Sequence, residues 1–242
     1  MLTYVDVVIE NNPYLGGIQI MTTTEKESLG SATKLKIHRK VYGGTWEEIK
    51  TIELESVSDL VFSVVDITTQ SNKKYSYYFD VLAGDTLLET QSYDFVECWF
   101  DGLFIGNENK AYIAGTNVSL DETITTQASY VITLASRTPY RVSNANTRYS
   151  TVNASALFLK LTDDKKRFVP DTDYSYVYEV SKFLLDHTNK IIKVGDGRIW
   201  YATIDAAMTI PSNENFSGYN MVEFSFTEIG DVPNFDCLVG VE

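Results

Sequence analysis

Residues 190–230 read KIIKVGDGRIWYATIDAAMTIPSNENFSGYNMVEFSFTEIG, and this stretch decides the fold. Three of its runs are rich in strand-forming residues: Ile191–Val194, Arg198–Ile204 and Tyr219–Thr227. The Gly195–Gly197 segment between the first two runs is typical of a tight turn, because glycine adopts positive φ without strain. Apolar and polar residues alternate in the last run, as in a strand buried on one face. The stretch therefore predicts an antiparallel sheet covered on one side, and nothing in it indicates catalysis.

One amphipathic helix is predicted just upstream, over residues 175–187. Val177, Val180 and Leu184 recur at helical spacing and form an apolar stripe that should lie against the sheet. Asp173 or Ser175 is suited to cap the first turn. A single helix in a β-protein usually covers a core, so we expect this stripe to be buried.

Three more segments extend the pattern upstream: FDGLFI at 100–105, LASRTPYRVSNANTRY at 134–149, and the strand-like run 152–161. Together with the helix and the closing strands, they resemble structural proteins from the tails of long-tailed bacteriophages. The resemblance implies a split β-barrel over residues 98–230, of the kind found in tail tubes, tube initiators and distal tail rings. It also implies ring assembly, commonly hexameric, and carries no functional residue over. Residues 231–242 are then a C-terminal extension.

Residues 1–97 predict a separate β-sandwich of short alternating strands joined by turn signals. The order KIHRKVYGGTWEEI at 36–49, followed by DITTQSNKKYSYYFDV at 66–81, resembles a fibronectin type III domain. The resemblance implies an adhesive or spacer role without chemistry. No Pro/Gly/Ser-rich linker separates this domain from the second, so we expect the two to be held at a fixed angle. The fold class is thus mainly β: a sandwich followed by a split barrel with one α-helix.

The charge balance is strongly acidic. The 20 Lys and Arg residues against 33 Asp and Glu give a net charge of −13 in a chain of 242 residues. Such a surface does not neutralise phosphates, which disfavours a nucleic-acid-binding protein. In a ring around a DNA path, the same charge would keep DNA from adhering to the wall. The acidity also fits an ordinary solvated surface, and both alternatives stay open at this stage.

The residue patterns that bind metals or cofactors are not found in this sequence. Cys98 and Cys237 are the only cysteines and lack C-x-x-C spacing. Asp171 and Asp173 fall short of a calcium loop, since no glycine and distal glutamate follow at the required spacing. The Gly-Asp-Gly turn at 195–197 is followed by a strand and differs from a dinucleotide-binding loop. We expect no metal, no cofactor and no membrane span.

The sequence also shows no recognisable set of catalytic residues. His38 and His187 are the only histidines, and His38 lies in a predicted strand beside Arg39 and Lys40. A hydrolase would need a nucleophile, a base and an orienting carboxylate, and no such set has a recognisable motif here. A hydrolase with an unrecognised site remains the third hypothesis, behind two that involve no catalysis.

The first hypothesis is a non-enzymatic structural component of a phage or phage-like tail or baseplate. It would form a ring that joins the tail tube to the baseplate, contact other tail proteins, and let DNA pass without specific binding. The protein would be assembled in the host bacterial cytoplasm and reside in the virion tail. The alternative is a baseplate accessory that binds a host-surface glycan or receptor through exposed aromatic side chains. Five residues are candidates for packing or for a partner interface: Trp46, Val180, Leu184, Trp200 and Tyr201.

Overall fold

The computed structural model describes residues 4–126, 128–134, 137–142, 147–162, 168–169, 175–209, 221–233 and 238–240. The fold is mainly β, as predicted, with one α-helix in the described ranges. The first seven strands are β1 (Asp6–Asn12), β2 (Gly17–Thr23), β3 (Lys34–Val41), β4 (Glu47–Glu53), β5 (Ser63–Asp66), β6 (Lys73–Ala83) and β7 (Thr86–Cys98). A 3₁₀ turn, Val57–Leu60, lies between β4 and β5.

The second half contains twelve strands and the helix. The elements are β8 (Leu103–Gly106), β9 (Ala111–Ala114), β10 (Thr116–Thr126), β11 (Ser129–Val131), β12 (Tyr140–Val142), β13 (Arg148–Leu157), β14 (Lys160–Leu161), β15 (Phe168–Val169), α1 (Ser175–Leu184), β16 (Lys190–Val194), β17 (Ile199–Thr209), β18 (Met221–Gly230) and β19 (Leu238–Gly240).

The N-terminal part is a sandwich of two four-stranded sheets, ordered β1-β2-β5-β19 and β4-β3-β6-β7. Strand β3 alternates as predicted: Leu35 and Ile37 are fully buried, whereas Lys36 and His38 face outward. The inward residues of both sheets form one apolar core. Burying such side chains stabilises a fold by roughly 1.5–3 kcal/mol each, so the alternation fixes which face of each sheet points inward.

A buried ion pair crosses this core and ties the two sheets together. Arg39 on β3 contacts the carboxylate of Asp66, at the end of β5 in the opposite sheet, at 2.8 Å. The hydroxyl of Tyr77 donates to the same carboxylate at 3.0 Å, and Thr68 also contacts it. Burial opposes ionisation, but Arg39 and these hydrogen bonds hold the pKa of Asp66 below its ordinary value. A pair satisfied in this way fixes the alignment of the sheets, since separating it would leave a buried charge unpaired.

The C-terminal part is a seven-stranded antiparallel sheet, ordered β10-β13-β18-β17-β16-β8-β9. Its two edge strands, β9 and β10, are consecutive along the chain and are separated only by Gly115. The sheet is curled, because Arg198, just before β17, reaches Glu122 on β10 at 2.9 Å. A flat sheet would hold these strands about 14 Å apart. No hydrogen-bonded ladder joins β9 to β10 in the described ranges, so the curled sheet does not close there.

Helix α1 covers one face of this sheet. Val177, Val180, Phe183 and Leu184 are buried and pack with the inward residues of β8, β9, β13, β16, β17 and β18. The predicted apolar stripe is therefore found, although the helix ends at Leu184 and not at His187. His187 itself has a φ of 63°, a left-handed conformation that cannot continue a helix.

The other face of β8, β9 and β16 packs against the sandwich, so one sheet serves two cores. Phe104, Ile113 and Ile191 belong to the N-terminal core, whereas their chain neighbours face the helix. Gly16 is needed at this junction, since a Cβ there would lie 2.5 Å from the ring of Phe104. The buried ammonium of Lys193 donates to the Thr69 carbonyl at 2.7 Å. These contacts join the two parts, and the fixed angle between them stays a prediction.

Strands β1 and β15 were not predicted from the sequence, and β19 lies in the segment that was treated only as an extension. Strand β19 pairs with β5 through Leu238–Asp66 and Val239–Val65, which places it in the N-terminal sandwich. The division at residues 97 and 98 stays a prediction. Asp171, Asp173, Cys237 and the loop between β17 and β18 lie outside the described residues.

Candidate functional site

The five residues proposed for packing or a partner interface lie in different environments. Val180, Leu184 and Trp200 are buried, with exposed fractions of 0%, 2% and 4%. Tyr201 is half-buried against the N-terminal core. Trp46 is 40% exposed. Three of the five therefore lie in the helix-covered core of the same chain, and Trp46 is the one whose ring is exposed.

A polar surface covers the half of the curled sheet that the sandwich leaves open. The residues of β10, β13 and β18 that point away from the helix define this open polar face: Ser119, Asp121, Thr123, Thr151, Asn153, Ser155, Glu223, Ser225 and Thr227. Asp121, Asn153 and Ser225 lie side by side across the three strands. This set holds two carboxylates and no Lys or Arg. It is hydroxyl-rich and negatively charged, whereas the opposite face of the same strands is apolar.

An exposed hairpin follows β10 along the chain. Strands β11 and β12 pair only with each other in the described ranges, and all their residues are exposed. The apolar side chains of the hairpin, which we call the apolar arm, are Tyr130, Val131, Ile132, Leu134, Tyr140 and Val142. Ile132 and Leu134 are 77% and 113% exposed. Val131, Tyr140 and Val142 share one face of this hairpin, and exposed apolar side chains grouped in this way are typical of interaction sites.

The unpaired strand edge adds to this surface. Strand β10 has β13 on one side, and no described strand pairs with its other side. Its backbone groups along that edge are therefore available to a strand of another chain. The available edge and the cation-free face lie on the same half-sheet, and the apolar arm is the separate hairpin that follows β10 along the chain.

The outer face of the sheet β4-β3-β6-β7 carries a second distinct surface, made of aromatic and basic side chains. Tyr42, Trp46 and Phe95, which we call the aromatic patch, are all exposed. The ammonium of Lys40 lies 4.6 Å from the centroid of the Trp46 ring and 5.9 Å from that of Phe95. Tyr42 and Phe95 meet edge to face at 5.1 Å.

A cavity of about 870 Å³ opens beside the patch. It is lined by Val41, Tyr42, Asn72, Lys73, Lys74, Phe95 and Glu97. Lys74 is 3.8 Å from Glu97, but both are largely exposed, so this pair contributes little stability. In the described part of the chain, neither Lys40 nor Lys73 forms an ion pair with a carboxylate.

His38 does not resemble a catalytic base. Its ring stacks on Tyr78 with centroids 4.1 Å apart, and its Nε2 is buried without a hydrogen-bond partner, 3.7 Å from Asp80. Burial lowers the pKa of His38, against the opposing effects of Asp80 and Glu48, while Lys36 adds to the lowering. No hydroxyl or thiol is bonded to Nε2, so the arrangement lacks a nucleophile to activate.

Cys98 is likewise a packing residue. Its thiol is buried and donates to Thr69 at 3.4 Å, and burial raises the pKa of Cys98 above its ordinary value. A thiol kept protonated in this way is a poor nucleophile and metal ligand. Within the described ranges, no three His, Cys, Asp or Glu residues cluster closely enough to hold a metal ion. None of the described helical residues forms a segment long and apolar enough to cross a membrane.

Comparison with known proteins gives only distant likenesses. No family model matches the sequence, and no curated protein matches it. A chain from the virion of a native gene transfer agent particle aligns with 51% of this chain and 83% of its own length, at 12% identity and a TM-score of 0.31. A chain from the tail of an empty gene transfer agent particle with C6 symmetry aligns with 51% and 81%, at 11% identity and a TM-score of 0.31. TM-scores of 0.31 are too low to establish a common fold.

Proposed function

We propose that this protein is a non-enzymatic structural component of a phage or phage-like tail, which assembles into a ring around the DNA path. The observation that carries the proposal is the division of the curled sheet into two faces. One face is apolar and covered by α1, and the other is the open polar face with two carboxylates and no cation. A wall that must not bind a passing polyanion needs this chemistry, because Lys and Arg on it would attract phosphates.

The neighbouring surfaces supply a means of assembly. The free edge of β10 accepts a strand from the next subunit, and a head-to-tail contact of this kind closes into a ring when the rotation between subunits fits. The apolar arm then packs against that neighbour, which removes its exposed side chains from water. The ring, commonly hexameric in the proteins that the sequence resembles, contacts other tail and baseplate proteins and resides in the virion tail after assembly in the host bacterial cytoplasm.

The test is the assembly state of the purified full-length protein, measured by mass photometry and by electron microscopy at rising concentration. We expect rings with a pore wide enough for a DNA duplex of about 20 Å, lined by the open polar face. Ile132→Asp should abolish the rings, since it places a charge in the buried arm contact. Tyr178→Asp is the matched control, because Tyr178 is 54% exposed on α1, and it should assemble normally.

Strictly monomeric protein at high concentration would overturn the proposal, as would a pore lined mainly by Lys and Arg. Rings that form equally well in both variants would remove the apolar arm from the contact. A ring too narrow for a duplex would leave a structural component without a DNA path.

The second candidate function is recognition of a host-surface glycan or receptor, and the aromatic patch favours it. Three exposed aromatic side chains beside a large cavity are the features that binding surfaces use for affinity. The two functions are compatible in one protein, since the patch lies on the sandwich and the open polar face lies on the curled sheet.

A further inference from the structure

We infer that the aromatic patch binds an acidic saccharide in which carboxylates are spaced along the chain. This inference rests on the second candidate function and names its ligand class. The observations that carry it are the exposed rings of Tyr42, Trp46 and Phe95, and the positive charge that gathers around them.

The rings supply a stacking platform. Tyr42 is 70% exposed, and its edge-to-face contact with Phe95 leaves two apolar walls at an angle of 72° beside the cavity. The C–H faces of sugar rings pack on aromatic faces of this kind, while hydroxyl groups remain in contact with water or polar neighbours. Asn72 and Glu97 line the same cavity and offer an amide and a carboxylate to sugar hydroxyls.

The charge of the patch runs against that of the whole chain. The protein carries a net charge of −13, yet Lys73 and Lys74 line the cavity with Glu97 as the one acidic residue among its described lining, and Lys40 lies 5.9 Å from the ring of Phe95, which also lines it. Lys40 is held over two rings, and neither Lys40 nor Lys73 has a carboxylate partner. A neutral sugar would leave these ammonium groups unused, whereas a carboxylate on the ligand would pair with them.

The distribution of charge argues against a nucleic acid as the occupant. Aromatic rings with lysines also bind single-stranded nucleic acid, but such proteins present a positively charged groove along many nucleotides. Here the next lysines along the outer face of β3, Lys34 and Lys36, are paired with Glu53 and Glu48, so a continuous polyphosphate would meet carboxylates beyond the patch. A saccharide with separated carboxylates can pair with Lys40 and Lys73 without placing further negative charge on the acidic surface around the patch.

The experiment is isothermal titration of the full-length protein with a hyaluronan hexasaccharide, with its carboxyl-reduced form as the neutral control and an oligothymidylate as a third ligand. We expect the acidic sugar to bind with an affinity that falls as salt rises, and the reduced form to bind at least tenfold more weakly. Equal binding of both sugars would overturn the role of the lysines. Tighter binding of the oligothymidylate would replace the saccharide with a nucleic acid, and absence of binding by the acidic sugar at millimolar concentration would overturn the inference.

Two variants locate the site. Tyr42→Ala and Lys73→Gln should each weaken binding of the acidic sugar at least fivefold, since both side chains are exposed and neither is part of the core. Trp99→Ala is the matched control: Trp99 is 52% exposed but lies outside the patch, and its variant should bind as the wild type does. Unchanged binding in Tyr42→Ala and Lys73→Gln together would place the sugar elsewhere and refute the assignment.

Assembly is measured in the same samples to separate the two proposals. Tyr42→Ala should form the same rings as the wild type while binding the sugar poorly. Ile132→Asp should lose the rings and keep the sugar. If wild-type protein binds the sugar but forms no rings, the proposed ring around the DNA path is refuted and the saccharide site is retained.

Discussion

Replacing Val180 with aspartate tests whether the helix stripe is sealed from water. Val180 is fully buried between α1 and the curled sheet. Loss of its apolar contacts costs about 1.5–3 kcal/mol. At pH 7 the new carboxyl must also either ionise in an apolar site or stay protonated well above its ordinary pKa of about 3.9, which costs about 4 kcal/mol more. The total is comparable with the whole stability of many domains.

The pH dependence separates the charge from the lost packing. Keeping the carboxyl protonated costs about 4 kcal/mol at pH 7 but about 1.5 kcal/mol at pH 5, because each pH unit contributes about 1.4 kcal/mol. The asparagine of Val180→Asn has nearly the same shape as aspartate but does not titrate, so the loss of unfolding free energy in this variant should not change between pH 7 and pH 5. The gap between the two variants should therefore shrink by about 2.7 kcal/mol between pH 7 and pH 5.

Urea unfolding followed by the fluorescence of Trp200 is the assay. Trp200 is buried in the same core, and replacing Trp46 and Trp99 with Phe leaves it as the sole tryptophan. If Val180→Asp is unfolded at pH 7 but folds at pH 5, that result also agrees with a buried carboxyl group. A gap between the Asp and Asn variants that does not change with pH would mean that the aspartate is solvated, and the position of α1 on the sheet would be wrong.

Three other predictions follow from local geometry. Gly102→Ala should destabilise the protein far more than Gly43→Ala in thermal unfolding. Both glycines have positive φ, which alone costs about 1–2 kcal/mol in alanine, but a Cβ at Gly102 would also lie 2.0 Å from a β9 carbonyl oxygen, whereas nothing lies within 4 Å at Gly43. Equal losses of stability in the two variants would refute this prediction. The pKa of His38 is lowered by burial, so the unfolded chain takes up its proton near pH 6.5 while the folded chain still resists it, and stability should fall as pH drops through that value; a His38→Phe variant with the same fall would exclude His38 as its source. Lys193→Met should cost about 1–3 kcal/mol by removing the donor to a buried carbonyl at the junction of the two parts, and unchanged urea midpoints would mean that the ammonium contributes nothing there.

Local patterns predicted much of the strand content and little of the arrangement. The bounds of β3 follow directly from alternation, since its inward residues contact the core and its outward residues meet water. Alternation fails in β16, where all five residues are buried because the sheet has a core on each side. Lys190 and Lys193 therefore appear as breaks in an apolar pattern, although both are buried. The pairing of β13 with β18 depends on long-range contacts that no local pattern encodes.

The candidate surfaces depend on strand pairing more than on local sequence. Trp46 was a candidate for packing or for a partner interface, and its ring is 40% exposed. Phe95 gave no such signal, because it reaches Lys40 and Tyr42 only through the pairing of β3 with β6 and of β6 with β7. The cation-free face depends in the same way on register: Asp121 and Glu223 are far apart in sequence and share a face because β10, β13 and β18 are paired.

The pairing of β5 with β19 bears on how the protein forms during translation. The first sheet is ordered β1-β2-β5-β19, so β5 has an open side until the segment Leu238–Gly240 has left the ribosome. By then all strands of the seven-stranded sheet have been made. The sandwich, although it contains the first-synthesised strands, is thus the last to be completed, and a nascent chain exposes the edge of β5 for most of its synthesis. The finished subunit therefore appears only after the seven-stranded sheet has been made in full.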